Sequence, residues 1–196
     1  SALAEKTFVE NHKNLIHVSI HAGVGAGIIL DHHLYTGLAG TAGEAGHMIV
    51  QPGGRSCPCG NHGCLEQYIS EPAVLSRYRE LSGRTTVSID DLVWAYNQKE
   101  TAALAVTDEF TTYLACGINN LWNLFSPECI ILNCQLTAYL PQLLPEILQK
   151  LSPRFRATCH LKLSTLQDTG VLLGAAKVCI SKYLGTEKLY FSGLQP

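Results

Sequence analysis

The sequence predicts an α/β domain in which helices pack against a sheet, and three observations support this. Segments 14–20 and 25–37 are rich in apolar and β-branched residues, as strands are. The stretch 101–125 carries apolar residues three and four positions apart, the spacing of a helix with one buried face. Toward its end the chain alternates strand, helix, strand and helix, an order typical of layered α/β domains.

The first third of the chain is expected to hold most of the strands. A helical pattern over 1–11 precedes the strand at 14–20. The glycine-rich segment 21–27 is expected to turn the chain, and 25–37 reads as a second strand that turns into a third. Glycine and proline are then so frequent over 39–63 that little regular structure is expected there.

Helical spacing resumes at residue 64 and governs most of the remaining chain. Pro72 is expected to start a second helix within 64–83, because proline suits the first turn of a helix. Ser88 is a candidate N-cap for the helix that follows. Two further strands and two further helices complete the prediction: strands at 128–134 and 159–165, and helices at 141–151 and 169–185.

Composition narrows the class of protein. Of the 196 residues, 46% are hydrophobic and 15% are charged, which is ordinary for a globular protein. The net charge of −2 argues against a nucleic-acid-binding surface on this chain, since phosphate binding needs clustered lysine and arginine. No apolar run suits a transmembrane helix and no secretory signal opens the sequence, so we expect a cytoplasmic protein without membrane contact. Because the chain starts at Ser1 rather than at methionine, we interpret it as a fragment or an excised domain.

The eight cysteines fall into two groups. Three of them are clustered in one turn-rich stretch. The other five lie among apolar neighbours, and we interpret them as small buried hydrophobic residues, with surface disulfides as the alternative: Cys116, Cys129, Cys134, Cys159 and Cys179.

The clustered cysteines share their stretch with a histidine, and together they predict a zinc site. His47, Cys57, Cys59 and Cys64 have the spacing H-x9-C-x-C-x4-C and offer the ligand set of a closed, tetrahedral structural zinc. A disulfide, which would leave one cysteine over, and three free thiols, which would be open to oxidation, are the alternatives. Because a closed site has no position for water, we assign the metal no catalytic role and expect it to hold loop 43–66 in place.

Two glutamates flank the expected metal ligands. Glu44 lies three residues before His47, and Glu66 lies two residues after Cys64, so a bound metal would hold both carboxylates close together. Two charged acceptors on a rigid loop suit a ligand rich in hydroxyl donors, such as a sugar. Two solvated surface glutamates are the alternative, and spacing alone leaves it open.

These motifs resemble the signature of the ROK family (repressor, open reading frame, kinase), which groups sugar kinases with sugar-responsive transcriptional repressors. The resemblance covers nearly the whole chain and rests on five segments: SALAE, GAGIILDHHLYTGLAGTAGEAGHMIV, CPCGNHGCLE, INNLWNLFSPECIIL and GVLLGAAKV. It implies an actin-like ATPase (ribonuclease H-like) α/β fold, of which this chain would be the C-terminal lobe with an inserted zinc loop and helices.

The resemblance also implies roles for single residues. His47, Cys57, Cys59 and Cys64 match the zinc ligands of the family, while Glu44, His47 and Glu66 match its sugar contacts. His47 would therefore touch both the metal and the sugar. A small sugar or sugar phosphate would be the ligand, and the zinc would be structural.

Departures from the kinase pattern favour a regulator over an enzyme. The catalytic aspartate and first phosphate loop of the kinases would precede Ser1, and this chain has neither. Kinases of the family resemble G-T-G-x-G-x-G where residues 21–27 read HAGVGAG, and they carry a glycine pair where this chain has Asn133 and Cys134. We therefore interpret residues 1–196 as the effector-binding region of a sugar-responsive repressor.

The same interpretation sets the expected partners. DNA contact would come only through a winged-helix domain upstream, and a homodimer is expected because members of the family form dimers. Helix 101–125 is a candidate dimer face, with packing in the core of its own chain as the favoured alternative. Two other functions stay open, namely a truncated sugar kinase and a zinc-stapled interaction domain without a sugar ligand.

Overall fold

A computed structural model describes residues 1–9, 11–166 and 169–185. In this part of the chain, five strands form one mixed sheet with the order β3–β2–β1–β4–β5. The strands are β1 (Leu15–Ile20), β2 (Val24–Leu30), β3 (His33–Tyr35), β4 (Cys129–Cys134) and β5 (His160–Leu163). Strand β2 is antiparallel to both β1 and β3, whereas β4 runs parallel to β1 and β5 runs parallel to β4.

Helices cover both faces of this sheet. They are α1 (Ala2–Phe8), α2 (Glu66–Ile69), α3 (Glu71–Ser82), α4 (Ile89–Asn97), α5 (Thr101–Phe125), α6 (Gln135–Tyr139), α7 (Leu143–Lys150), α8 (Pro153–Thr158) and α9 (Thr169–Leu184). Helix α1 contacts β1, β2 and α9 on one face, while α5 packs with α2, α3, α4 and α7 in the layer on the other. Two 3-10 turns, Leu38–Gly40 and Ala45–His47, interrupt the long loop before α2.

Strand alternation divides the core between the two faces. Ile16, Val18 and Ile20 belong to the larger core, which includes the buried face of α5, whereas Leu15 belongs to the smaller core under α1. His17 is 2% exposed, and its Nε2 atom has no hydrogen-bond partner among the described residues. Burial lowers the pKa of this imidazole to about 4.

The helix starts follow the local chemistry that the sequence indicates. Ser88 caps α4 in a complete capping box, in which its hydroxyl accepts from the Asp91 amide while the Asp91 carboxylate accepts from the Ser88 amide. Pro72 lies in the first turn of α3, and the Ser70 hydroxyl accepts from the Ala73 amide at its N-terminus. The predicted break between α2 and α3 is therefore confirmed.

Several sequence expectations need correction. The turn predicted over 21–27 covers only 21–23, because β2 already begins at Val24. Helices α6 and α8 were not expected, since each is shorter than two turns and leaves little periodic signal. Cys129, Cys134 and Cys159 are buried as expected, whereas Cys179 is exposed and Cys116 is only half-buried.

Helix α5 packs mainly within its own chain. Phe110, Leu114, Ile118 and Leu121 lie in the core, while Leu104, which belongs to the same sequence pattern, is 41% exposed. This supports core packing as the role of its apolar face. Within the described ranges, no helix combines the length and the apolar character that crossing a membrane requires.

Candidate functional site

The four predicted metal ligands converge in the structure. The ligand atoms of His47, Cys57, Cys59 and Cys64 all lie within 4.8 Å of one another. The sulfur atoms of Cys59 and Cys64 are 3.6 Å apart, and Cys57 Sγ lies 3.7 Å from His47 Nδ1. Around a tetrahedral zinc with Zn–S bonds of about 2.3 Å, neighbouring sulfur ligands are about 3.8 Å apart. The residues therefore fit a tetrahedral metal site.

Short backbone pairings fold the loop around this cluster. Ile49 forms an antiparallel bridge with Cys64, and Ser56 forms another with His62. The first pairing places the last cysteine beside the segment that follows His47. The second closes the tight turn that contains the other two cysteines. Backbone hydrogen bonds thus bring together ligands that are separated in the chain.

Glycine is required at one of the turns for two reasons. Gly63 has a φ of +83°, and a Cβ at this position would lie 1.7 Å from the carbonyl oxygen of Gln51. Gly60 has a φ of +94°, but no atom lies within 4 Å of its ideal Cβ position. Conformation alone therefore favours glycine at Gly60, whereas both conformation and space demand it at Gly63.

Two of the clustered thiols, Cys59 and Cys64, differ in their acidity. A hydrogen bond from the Asn61 backbone amide lowers the pKa of the exposed Cys59 thiol to about 7. Burial raises the pKa of Cys64 to about 12. Cys59 therefore ionises more readily than Cys64. Because the thiolate is the form that binds metal, a divalent cation would supply the charge that favours ionisation of Cys64.

The two ring nitrogens of His47 face different groups. Its Nδ1 atom faces the cysteine cluster, while its Nε2 atom lies 3.9 Å from Glu44 Oε2. The side chains of His47 and Glu44 are 38% and 71% exposed, so the Nε2 edge and the carboxylate are accessible from solvent. A metal on Nδ1 would leave the proton on Nε2, which would then act as a donor toward a ligand on that side.

Glu66 reaches the same region from helix α2. Its Oε2 atom accepts a hydrogen bond of 3.0 Å from the Val24 backbone amide. The loop that carries Glu44 also packs here, because a Cβ on Gly46 would lie 2.4 Å from the Val24 carbonyl oxygen. The segment that carries Glu44 and His47 thus packs against Val24, the first residue of β2, and the Glu66 carboxylate accepts from the same residue.

The two segments that differ from the kinase pattern are neighbours. Residues 21–23 follow the end of β1, and Asn133 and Cys134 end β4, which pairs in register with Ser19 and Ile20. Asn133 and Cys134 are both buried. The substituted positions therefore lie side by side at the carboxyl ends of the two neighbouring strands β1 and β4.

Three residues at the site were missed by sequence reasoning. Gln67 Nε2 donates a hydrogen bond of 3.6 Å to Cys57 Sγ, and Arg55 pairs with Glu109 on α5. The position of Gln67 next to Glu66 was a usable signal, because both lie in the first turn of a helix that begins two residues after Cys64. No local pattern could pair Arg55 with a glutamate so far along the chain.

Comparison with known proteins agrees with this description. The ROK family model matches residues 1–182. The xylose repressor of Bacillus spizizenii is 34% identical over 194 residues, which is 96% of this chain and 50% of the repressor. The transcriptional dual regulator NagC of Escherichia coli K12 is 34% identical over 156 residues, covering 74% of this chain and 38% of NagC. The chain spans about half the length of the curated relatives it matches.

Solved structures show the same relationship. A ROK family transcriptional regulator, described as a homologue of the E. coli MLC protein, is 32% identical with a TM-score of 0.75, over 89% of this chain and 48% of that one. The ROK hexokinase of Thermus thermophilus is 25% identical with a TM-score of 0.76, over 89% of this chain and 60% of that one. The mixed sheet and these neighbours confirm the expected α/β fold of the actin-like sugar kinases. The chain belongs to the ROK family.

Proposed function

We propose that this chain is the sugar-sensing region of a transcriptional repressor that contacts DNA through a domain preceding residue 1. The xylose repressors and NagC, which it resembles, support this reading. The observation that carries the proposal is that the Glu44–His47 segment and the Glu66 carboxylate both contact Val24, next to a cluster of one histidine and three cysteines. The repressor would work in the cytoplasm, where its DNA lies, and it would be a homodimer.

Zinc is the metal that suits the cluster. Three sulfurs and one nitrogen with tetrahedral spacing are the ligand set of closed structural zinc sites. The metal would hold loop 43–66, whose exposed, glycine-rich segments bury little apolar surface of their own. It would have no catalytic role, because all four coordination positions belong to the protein.

A sugar would bind beside the metal rather than on it. Glu44 and Glu66 offer charged oxygens to sugar hydroxyl groups, and the Nε2–H of His47 adds a donor on the same side. Because Glu66 already accepts from the Val24 amide, its carboxylate is held in place before a ligand arrives. Such preorganisation lowers the entropy loss on binding.

A sugar kinase is the second candidate, and the similarity to the ROK hexokinase favours it. Two features speak for the repressor instead. Residues 21–27 lack the leading glycine and threonine of the kinase pattern, and the carboxyl end of β4 carries Asn133 and Cys134 in place of a glycine pair. Side chains at these positions would occupy space that bare backbone leaves to phosphate groups.

The test uses the intact parent protein. Calorimetry with D-xylose, D-glucose and N-acetylglucosamine should detect binding of at least one sugar, and ATP turnover in its presence should stay at background. Transfer of phosphate from ATP to the sugar at about 1–100 per second, the range of kinases, would show that the protein is a kinase and not a repressor. Full zinc content without binding of any of these sugars would favour an interaction domain.

A further inference from the structure

We propose that Arg55 is a positioning residue that holds Gln67, and with it the start of helix α2, against the metal ligand Cys57. The inference rests on the proposed metal site and extends it to residues that do not touch the metal. Helix α2 has four residues, too few to be stable by itself, so its orientation depends on side-chain contacts. Glu66 is the first residue of this helix.

Arg55 contacts α2 through its backbone, its guanidinium edge and its guanidinium face. Its backbone amide donates to Tyr68 Oη over 2.9 Å, and its Nη1 donates to the Gln67 carbonyl over 2.8 Å. The guanidinium carbon lies 4.5 Å from the centre of the Tyr68 ring. A lysine could not make the fork and the stacking contact together, because its ammonium is a compact point charge on a flexible stem.

Gln67 completes the path to the metal ligand. The backbone carbonyl of Gln67 accepts a hydrogen bond from Arg55, and its side-chain Nε2 donates one to Cys57 Sγ. A hydrogen bond to a coordinating thiolate withdraws electron density from sulfur and orients the ligand, as other partners of metal ligands do. The position of Gln67 thus determines both a contact to the sulfur and the direction in which α2 begins.

The far end of Arg55 is anchored on the long helix α5. Its Nη2 forms an ion pair with one oxygen of Glu109, and Arg77 Nε donates over 3.1 Å to the other oxygen. The side chains of Arg55 and Glu109 are 34% and 23% exposed, so water screens this pair only in part. Tyr113, also on α5, stacks on the Tyr68 ring with centroids 4.0 Å apart.

Arg77 provides a matched control for Arg55. It shares the same carboxylate, and its second ion-pair contact is Glu80 on its own helix α3. Removing Arg77 therefore weakens the Glu109 cluster without removing any of the contacts that Arg55 makes with α2. If Arg55 contributed only to overall stability, Arg55→Ala and Arg77→Ala would have the same effect on the metal site.

The experiment measures the metal, so it does not depend on which sugar the protein binds. Wild-type protein and the variants Arg55→Ala, Arg55→Lys, Gln67→Ala and Arg77→Ala are loaded with zinc or with Co²⁺. A chromophoric chelator reports the rate of zinc release, absorption reports the cobalt–thiolate charge-transfer band, and thermal unfolding reports stability.

Positioning predicts a specific pattern. Gln67→Ala should move the cobalt band to longer wavelength, and Arg55→Ala should move it in the same direction although Arg55 touches no ligand. Zinc release from Arg55→Ala should be faster by roughly 10–100-fold, because displacing Gln67 removes a hydrogen-bond partner of the metal ligand Cys57. Arg77→Ala should keep the wild-type band and release rate.

The opposite results separate the two proposals. Equal release rates and unmoved bands in Arg55→Ala and Arg77→Ala would refute the positioning role while leaving the metal site intact. Wild-type protein that binds neither zinc nor cobalt would instead refute the metal site. If Arg55→Ala does not fold, Arg55→Lys decides, because it keeps the charge and should still shift the cobalt band.

Discussion

Cys59 and Cys64 hold their sulfur atoms 3.6 Å apart, although the first residue is exposed and the second is buried. A disulfide would require about 2.05 Å between the sulfurs. The distance instead matches two ligands on one tetrahedral ion, and it favours a shared metal over the disulfide that the sequence left open.

Replacing Cys59 with serine should remove the metal and loosen the loop. The loss of a structural metal ligand is among the most destabilising single changes, so the thermal unfolding midpoint should fall with the zinc content. Elemental analysis and calorimetric melting measure both. Cys179→Ser, at an exposed cysteine on α9, is the control and should keep one zinc per chain. Retention of a full equivalent of zinc by Cys59→Ser would contradict the ligand assignment.

Glu44→Gln should separate sugar binding from metal binding. The zinc content should be unchanged, because the carboxylate faces His47 Nε2 rather than the cysteines. Sugar binding should weaken by about 1.5–3 kcal/mol, the contribution of one hydrogen bond to a charged group. Calorimetry on the parent protein, with Glu80→Gln as control, measures this. Normal affinity in the variant would show that Glu44 is a solvated bystander.

Alanine at the two loop glycines should have unequal effects. Gly60→Ala meets no neighbouring atom and should cost only the strain of a positive φ, about 1–2 kcal/mol. Gly63→Ala would place its methyl group against the Gln51 carbonyl oxygen, so the loop must open and zinc should be lost. Urea unfolding together with zinc analysis compares the two variants. Similar behaviour of both would show that the loop adapts.

His17 should make the protein sensitive to acid. Since burial lowers its pKa from 6.5 to about 4, the unfolded chain binds a proton in this interval that the folded chain does not bind. Protonation of His17 therefore costs no unfolding free energy above pH 6.5, and the unfolding free energy decreases as the pH falls from 6.5 toward 4. His17→Leu should avoid this loss and, relative to wild type, retain about 2–3 kcal/mol more unfolding free energy on going from pH 7 to 4.5.

Urea unfolding at both pH values measures the unfolding free energies of wild type and His17→Leu. Any metal release at low pH affects both proteins equally and cancels in their difference. His33→Leu is the control, because His33 is exposed. Parallel pH profiles for wild type and His17→Leu would contradict the account.

Local patterns in the sequence predicted much of the fold and the clustering of His47 with three cysteines. Ser88, Pro72 and the apolar spacing of α5 act over a few residues, and the metal ligands share one short stretch. The order of the strands depends on pairing between distant segments such as β1 and β4, which no local pattern specifies. Likewise, the Glu66 contact with Val24 and the Arg55 contact with Glu109 join residues far apart in the chain, so only the folded structure shows them.

The chain positions of the metal ligands have a consequence for the order of folding. All four ligands fall within residues 47–64, whereas Leu15 on β1 finds its parallel partner Cys129 only after the long helix α5 has been made. Closing a short loop loses less chain entropy than closing a long one. On the ribosome, we expect the loop to be able to bind a metal before β4 is synthesised, so that the central sheet would assemble beside an organised loop.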